Sequence, residues 1–158
     1  MGHTTELAGR FLHNTSRLEA AAETFADDQW RTEPGEGLLS AHVIVGRIAA
    51  KRRRVLRRLG HDLALEPWEG SFMNGPFDGL EDNPDPADLL RDFTENGVLL
   101  AAHVDELTDE DAEREWGAPQ PDGSTSTLGA LGYHAMDESS DLGQLELMGQ
   151  LLVGVSRS

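Results

Sequence analysis

The sequence has no cysteine among its 158 residues. Disulfide bonds, thiolate nucleophiles and cysteine-ligated zinc sites are therefore excluded. Lysine is almost as scarce, since Lys51 is the only one and the other basic residues are arginines. Long apolar stretches are missing as well, because no segment approaches the roughly 20 apolar residues that span a bilayer. The first ten residues lack the basic start and apolar segment of a signal peptide, so we expect a cytoplasmic protein.

The charge is strongly one-sided. The chain carries 29 acidic and 13 basic residues, for a formal net charge of -16. Such a field repels phosphate backbones and anionic membrane surfaces, so we expect neither nucleic acid nor a membrane as a partner. The length suits one compact domain over residues 1–158 and is too short to suggest two.

Four segments repeat apolar residues at steps of three and four, which is typical of amphipathic helices. They cover about 5–26, 40–59, 85–107 and 126–153. Ser40 and Asp85 are good N-caps, proline follows Asp85, and Gly60 is a candidate C-cap. Residues 61–83 show no period, and we interpret them as a long irregular link anchored by aromatic rings. The pattern predicts an all-α, four-helix up-down bundle with a long crossover loop between helices 2 and 3.

Charged side chains interrupt the apolar faces of two predicted helices. On helix 2, Lys51 lies within the apolar stripe and Arg47 lies near its edge. Helix 4 carries one basic and three acidic residues on or near its apolar face: His134, Asp137, Glu138 and Asp141. Burying either set alone costs several kcal/mol per ion, and pairing the two sets offsets much of that cost. We therefore expect ion pairs between helix 2 and helix 4.

These residues fall in a pattern that resembles the DinB-like four-helix bundles. That family includes thiol-dependent S-transferases and proteins described as metal-dependent hydrolases. Its members typically open helix 2 with a serine, place a metal-binding histidine seven residues later, and carry His-Glu-x-x-His-x-Gly-Gln on helix 4. Here Ser40 matches the serine, Glu138 the glutamate, and Gly143-Gln144 the Gly-Gln pair.

The resemblance places the three metal ligands at Arg47, Asp137 and Asp141, and none is histidine. A guanidinium has no lone pair to offer a metal. We therefore expect no metal cofactor, and an ion network of Arg47, Lys51, Asp137 and Asp141 in which Arg47 pairs directly with one or both aspartates. The favoured function is a degenerate family member, a non-catalytic small-ligand-binding or regulatory bundle with a small anionic ligand as a possible partner.

Two catalytic alternatives stay open. The first is a metal-dependent hydrolase or thiol S-transferase that holds zinc or nickel at a relocated site around His134, Glu138 and Asp141, with His103 as a further ligand. The second is catalysis without metal, in which Arg47 orients an anionic substrate and Glu138 or His134 acts as the acid or base.

The arginine-rich stretch 51–58 allows three interpretations. The favoured one pairs its arginines with acidic neighbours along the outer face of helix 2, as charge runs on helices usually do. They could instead form an anion-binding patch, or contact the acidic face of a second subunit. The last option would suit the homodimers that DinB-like proteins often form, and the resemblance leads us to expect a homodimer.

Overall fold

The computed structural model describes residues 2–75, 77 and 84–157, with side chains described as far as residue 152. Within these residues the chain forms six helices and no strand. They are α1 (Gly2–Ala22), α2 (Ala41–Arg58), α3 (Pro67–Asn74), α4 (Pro86–Asp105), α5 (Asp109–Glu113) and α6 (Thr127–Arg157). The predicted all-α class is confirmed. No helix in the described part of the chain is long and apolar enough to cross a membrane.

The four long helices α1, α2, α4 and α6 form the bundle. Helix α1 packs against α4 and α6, and α2 packs against the same two helices. Although α1 and α2 follow one another along the chain, they therefore lie at diagonally opposite corners of the bundle. This arrangement makes α6 the neighbour of α2 and brings their charged faces together.

The helix starts follow the local signals in the sequence. The Ser40 hydroxyl accepts a hydrogen bond from the Val43 amide at 3.3 Å, and the Asp85 carboxylate accepts one from the Asp88 amide at 3.0 Å. Gly60 follows the last turn of α2 with a φ of 99°, a conformation that favours glycine. The predicted N-caps of α2 and α4 are thus confirmed, but the C-cap of α2 is Leu59, and Gly60 is the residue after it.

The prediction of an irregular link over residues 61–83 is wrong in part, because α3 lies within it. Glu66 and Glu69 form a capping box, in which each side chain accepts from the other's backbone, and Pro67 occupies the first turn. Phe72 is fully buried against Gly46, where a Cβ atom would collide with its ring. Residues 76 and 78–83 of the predicted link lie outside the described residues.

The core consists of two apolar clusters separated by a polar layer. One cluster centres on Leu18, Ile48, Phe93 and Leu142, and the other on Phe11, Leu56, Leu100 and Leu131. Between them, each long helix contributes buried polar residues at the same level. These residues are Asn14, Thr15, Arg52, Asn96 and Glu138. The bundle is therefore held by hydrophobic packing at both ends and by polar contacts in the middle.

Candidate functional site

A lysine ammonium sits between two carboxylates where α2 faces α6. The Nζ atom of Lys51 lies 2.7 Å from Oδ2 of Asp137 and 3.3 Å from Oδ2 of Asp141. The two aspartates are one helical turn apart, so their side chains share one face of α6. Because like charges at this spacing repel, the ammonium between them relieves the repulsion. The exposed fraction of the three side chains is 25%, 29% and 11% in that order, so the group borders the surface.

The predicted pairing of Arg47 with Asp137 and Asp141 is corrected here. Lys51 occupies that position, and half-buried Arg47 forms no ion pair with another described residue. Counting seven residues from Ser40 reaches a position one turn too early on α2. The register between α2 and α6 is set by the neighbouring buried contact of Arg52, which places the turn of Lys51 opposite the aspartates. Within the predicted ion network, three members come together and Arg47 does not.

Arg52 forms the buried contact next to this group. Its Nε and Nη2 atoms donate to the two oxygens of Glu138 at 2.8 and 2.7 Å. Its remaining donors reach the Thr15 hydroxyl and the carbonyl oxygens of Phe11 and Phe93. The Arg52 side chain is 1% exposed and that of Glu138 7%. The interpretation that placed Arg52 on the outer face of the helix is therefore wrong.

Glu138 is fully engaged in this contact. Burial raises its pKa, while the Arg52 guanidinium and the Asn14 amide act in the opposite direction. Both of its oxygens accept from N–H donors, which is the arrangement of an ionised carboxylate. Neither oxygen is free to ligate a metal or to abstract a proton from a substrate without breaking the contact with Arg52.

His134 and His103 do not come together with Glu138 as a metal site. His134 lies near the Trp116 ring, with ring centroids 6.0 Å apart. Burial is the largest cause that lowers its pKa; Asp137 acts against it, and Lys51 and Arg54 reinforce it. His103 instead forms a hydrogen bond of 2.9 Å with His61.

The donors around Lys51 are a poor match for the divalent metal that the resemblance to DinB-like proteins implies. Across the described residues, no cluster of three or more histidine, cysteine, aspartate or glutamate side chains could hold a metal ion. Asp137 and Asp141 supply two carboxylates, but the space between them is taken by the Lys51 ammonium, which has donors and no lone pair. The residues present do not fit the metal.

The other arginines of α2 divide into two groups. Arg53 and Arg57 bind Glu69 on α3, and Arg53 also binds Asp92 on α4 at 2.7 Å. Burial works to raise the pKa of Glu69, but hydrogen bonds from Arg57, the Glu66 amide and Arg53 leave it below the usual value. These contacts confirm the predicted pairing with acidic neighbours for Arg53 and Arg57, whereas Arg54 and Arg58 form no ion pair with another described residue. The contacts with Glu69 also anchor α3, whose position the sequence did not reveal.

The second group, Arg54 and Arg58, lines a cleft of about 260 Å³ beside Lys51. Its polar and aromatic walls are formed by six side chains: Lys51, Arg54, Arg58, Trp116, Gln120 and His134. Arg58 donates two hydrogen bonds to the Trp116 carbonyl oxygen, and its guanidinium lies 5.6 Å from the centre of the Trp116 ring. Sequence reasoning missed Trp116 and Gln120, because they lie in the α5–α6 loop where no periodicity marks them.

A helical bundle with a charged centre between its second long helix and its last one is the class of protein that these observations define. The chain belongs to the DinB superfamily, whose sequence profile matches residues 10–141. Among solved structures it is similar to YfiT from Bacillus subtilis, described as a probable metal-dependent hydrolase with an unusual four-helix bundle topology. The two share 18% identity with a TM-score of 0.70, over 94% of this chain and 87% of that one. No curated protein matches the sequence.

Proposed function

We propose that this protein is a DinB-family bundle in which Lys51 takes the place of the metal ion. It acts as a non-catalytic small-ligand-binding or regulatory protein. The observation that carries the proposal is the position of the Lys51 ammonium between Asp137 and Asp141. A metal ion needs deprotonated donors directed at one point, and here a fixed cation already satisfies the two carboxylates.

The catalytic alternatives have weaker support. YfiT is described as a probable metal-dependent hydrolase. A hydrolase or thiol S-transferase with a relocated metal site is therefore the first alternative. Such a site would need Glu138 and Asp141, however, and both are bound to cations of α2. Metal-free catalysis with Arg47 orienting the substrate would need Arg47 at the cleft, whose lining includes Lys51 and Arg54 instead. His134 is the remaining candidate for an acid or base.

Elemental analysis of the protein, purified without a histidine tag and dialysed, tests the proposal. We expect well under one equivalent of zinc, nickel, manganese or iron. A stoichiometric metal that survives dialysis would disprove it and would favour the relocated site.

A pair of variants then tests the role of Lys51. Asp137→His combined with Asp141→His supplies two imidazoles but keeps the ammonium, whereas adding Lys51→Met removes the ammonium without supplying a third imidazole. We expect the triple variant to bind zinc more tightly than the double variant, because only the double variant retains a cation at the centre of the site. Equal zinc affinity in the two variants would show that Lys51 does not block the position.

A further inference from the structure

The cations of the stretch 51–58 differ in what they bind. Arg52, Arg53 and Arg57 are held by acidic partners inside the bundle or on α3 and α4. Arg54 is exposed and forms no ion pair with another described residue, although it lines the cleft beside Lys51. Arg58 also lines this cleft, and the partner described for its guanidinium is a carbonyl oxygen. Two guanidinium groups without a carboxylate partner in the described structure therefore face one concave surface.

The charge around the cleft is positive although the protein is strongly acidic. The described residues that line it include three cations and no acidic side chain. Asp137 and Asp141 neutralise Lys51 from the side of α6 and exceed it by one unit of charge. With Arg54 and Arg58 included, the net charge of these five groups is about +1, which suits a singly charged anion better than a doubly charged one.

The side chains that line the cleft also favour a ligand with a flat shape. The Trp116 ring forms one wall, with the Arg58 guanidinium near its centre, and the His134 ring lies beside it. Gly117 has a φ of 123°, and a Cβ atom there would collide with the Arg58 guanidinium, so this glycine lets the loop close over Arg58. Flat aromatic and guanidinium surfaces favour stacking with planar groups. The volume is below the roughly 300–1,000 Å³ of pockets for drug-sized ligands.

We infer that this cleft binds one small carboxylate that carries a flat, unsaturated or aromatic group. The carboxylate lies against the Arg54 guanidinium, and the flat group lies along Trp116 and His134. The inference rests on the proposed function, because it names the ligand class for a site whose centre is Lys51 and not a metal. The Gln120 amide also lines the cleft; it donates one hydrogen bond to the Ala118 carbonyl oxygen and has a second N–H for the carboxylate or a polar substituent.

Isothermal titration with benzoate tests the inference on the full chain. We expect saturable binding with a Kd on the order of 1 mM or tighter, as suits a ligand of so few atoms. Arg54→Gln should weaken benzoate about tenfold, because it removes a charged hydrogen-bond donor. Arg91→Gln is the matched control, since Arg91 is an exposed arginine on α4 outside the cleft, and it should leave the affinity unchanged.

Three further ligands test the proposed ligand class on the wild-type protein. Benzamide keeps the ring and lacks the charge, cyclohexanecarboxylate keeps the charge and lacks the flat ring, and inorganic phosphate keeps only negative charge. Each should bind more weakly than benzoate. The inference is overturned if benzoate does not saturate the protein, if both variants lose affinity equally, or if phosphate binds as tightly as benzoate. Metal content measured on the same sample separates these failures from a failure of the proposed function.

Discussion

Arg52 and Glu138 form a two-point ion pair at the centre of the bundle, with their side chains 1% and 7% exposed. The pair joins α2 to α6 within the polar layer between the two apolar clusters. The neighbouring Lys51 then lies opposite Asp137 and Asp141. The position of α2 against α6 that allows this buried pair also places the Lys51 ammonium between Asp137 and Asp141.

Removing Arg52 should destabilise the protein strongly. We expect Arg52→Ala to lower the free energy of unfolding by about 3–5 kcal/mol, because Glu138 is left buried without a counter-ion. Combining Arg52→Met with Glu138→Leu should cost much less, since well-packed apolar residues often replace a buried pair at little cost. Urea denaturation measures both, with Arg10→Ala as the control for an exposed pair. A double variant as unstable as the single one would contradict this account.

Gly97 should be intolerant of a side chain. A Cβ atom there would collide with Nη1 of Arg52 and lie 2.7 Å from the Thr15 hydroxyl oxygen. We expect Gly97→Ala to destabilise by about 1–3 kcal/mol, the usual cost of overpacking. Gly132→Ala, on α6 where the added atom meets open space, should instead be neutral or stabilising by up to about 1 kcal/mol. Thermal unfolding measures the change in stability of each variant. Equal changes for Gly97→Ala and Gly132→Ala would contradict the steric explanation.

Stability should fall as the pH falls through the histidine range. Burial lowers the pKa of His42 below 6.5; Arg31 acts in the same direction, while Asp85 and the hydrogen bond to the Pro84 carbonyl oppose it. The unfolded chain therefore binds this proton more readily, so the stability present above pH 6.5 is lost as the pH falls towards the pKa of the folded state. Urea denaturation between about pH 7.5 and 5.5 should show a smaller loss for His42→Gln than for wild type. His13→Gln, at an exposed position, is the control and should leave the loss unchanged.

Self-association stays a prediction. Four large apolar side chains are exposed on α1 and α6: Leu12, Met136, Leu147 and Leu151. A homodimer that covers such residues would remove them from water. Light scattering at micromolar concentration should give about twice the chain mass of 17.2 kDa, and Leu147→Glu should lower that value. A monomer mass for the wild type would end the prediction.

Local signals in the sequence were enough for much of the fold. Ser40 and Asp85 cap their helices through contacts with residues three positions later, and such local contacts can be predicted from the sequence. Helix α3 was missed because its eight residues are too few to show an apolar period. Its capping box of Glu66 and Glu69 was nevertheless visible in the sequence.

The site was harder to predict because it depends on the register between distant helices. Asp137, Glu138 and Asp141 were correctly placed towards α2, since helical spacing fixes their face. Their partners are 86 to 90 residues away in the chain, and nothing local sets which turn of α2 meets them. Arg52 follows Ile48 by four residues and so lies on the apolar stripe, and this spacing is the one signal in the sequence for its burial.

The protection of the Lys51 side chain from hydrogen exchange is the most direct test of the account. Because Lys51 is the only lysine, nitrogen NMR of the uniformly ¹⁵N-labelled protein gives a single side-chain ammonium signal. We predict a signal that is protected from exchange by the two carboxylate partners and is unchanged when an equivalent of zinc is added. Asp137→Asn combined with Asp141→Asn should remove the protection. A side chain that exchanges without protection, or a signal that zinc displaces, would contradict the claim that Lys51 stands where a metal would bind.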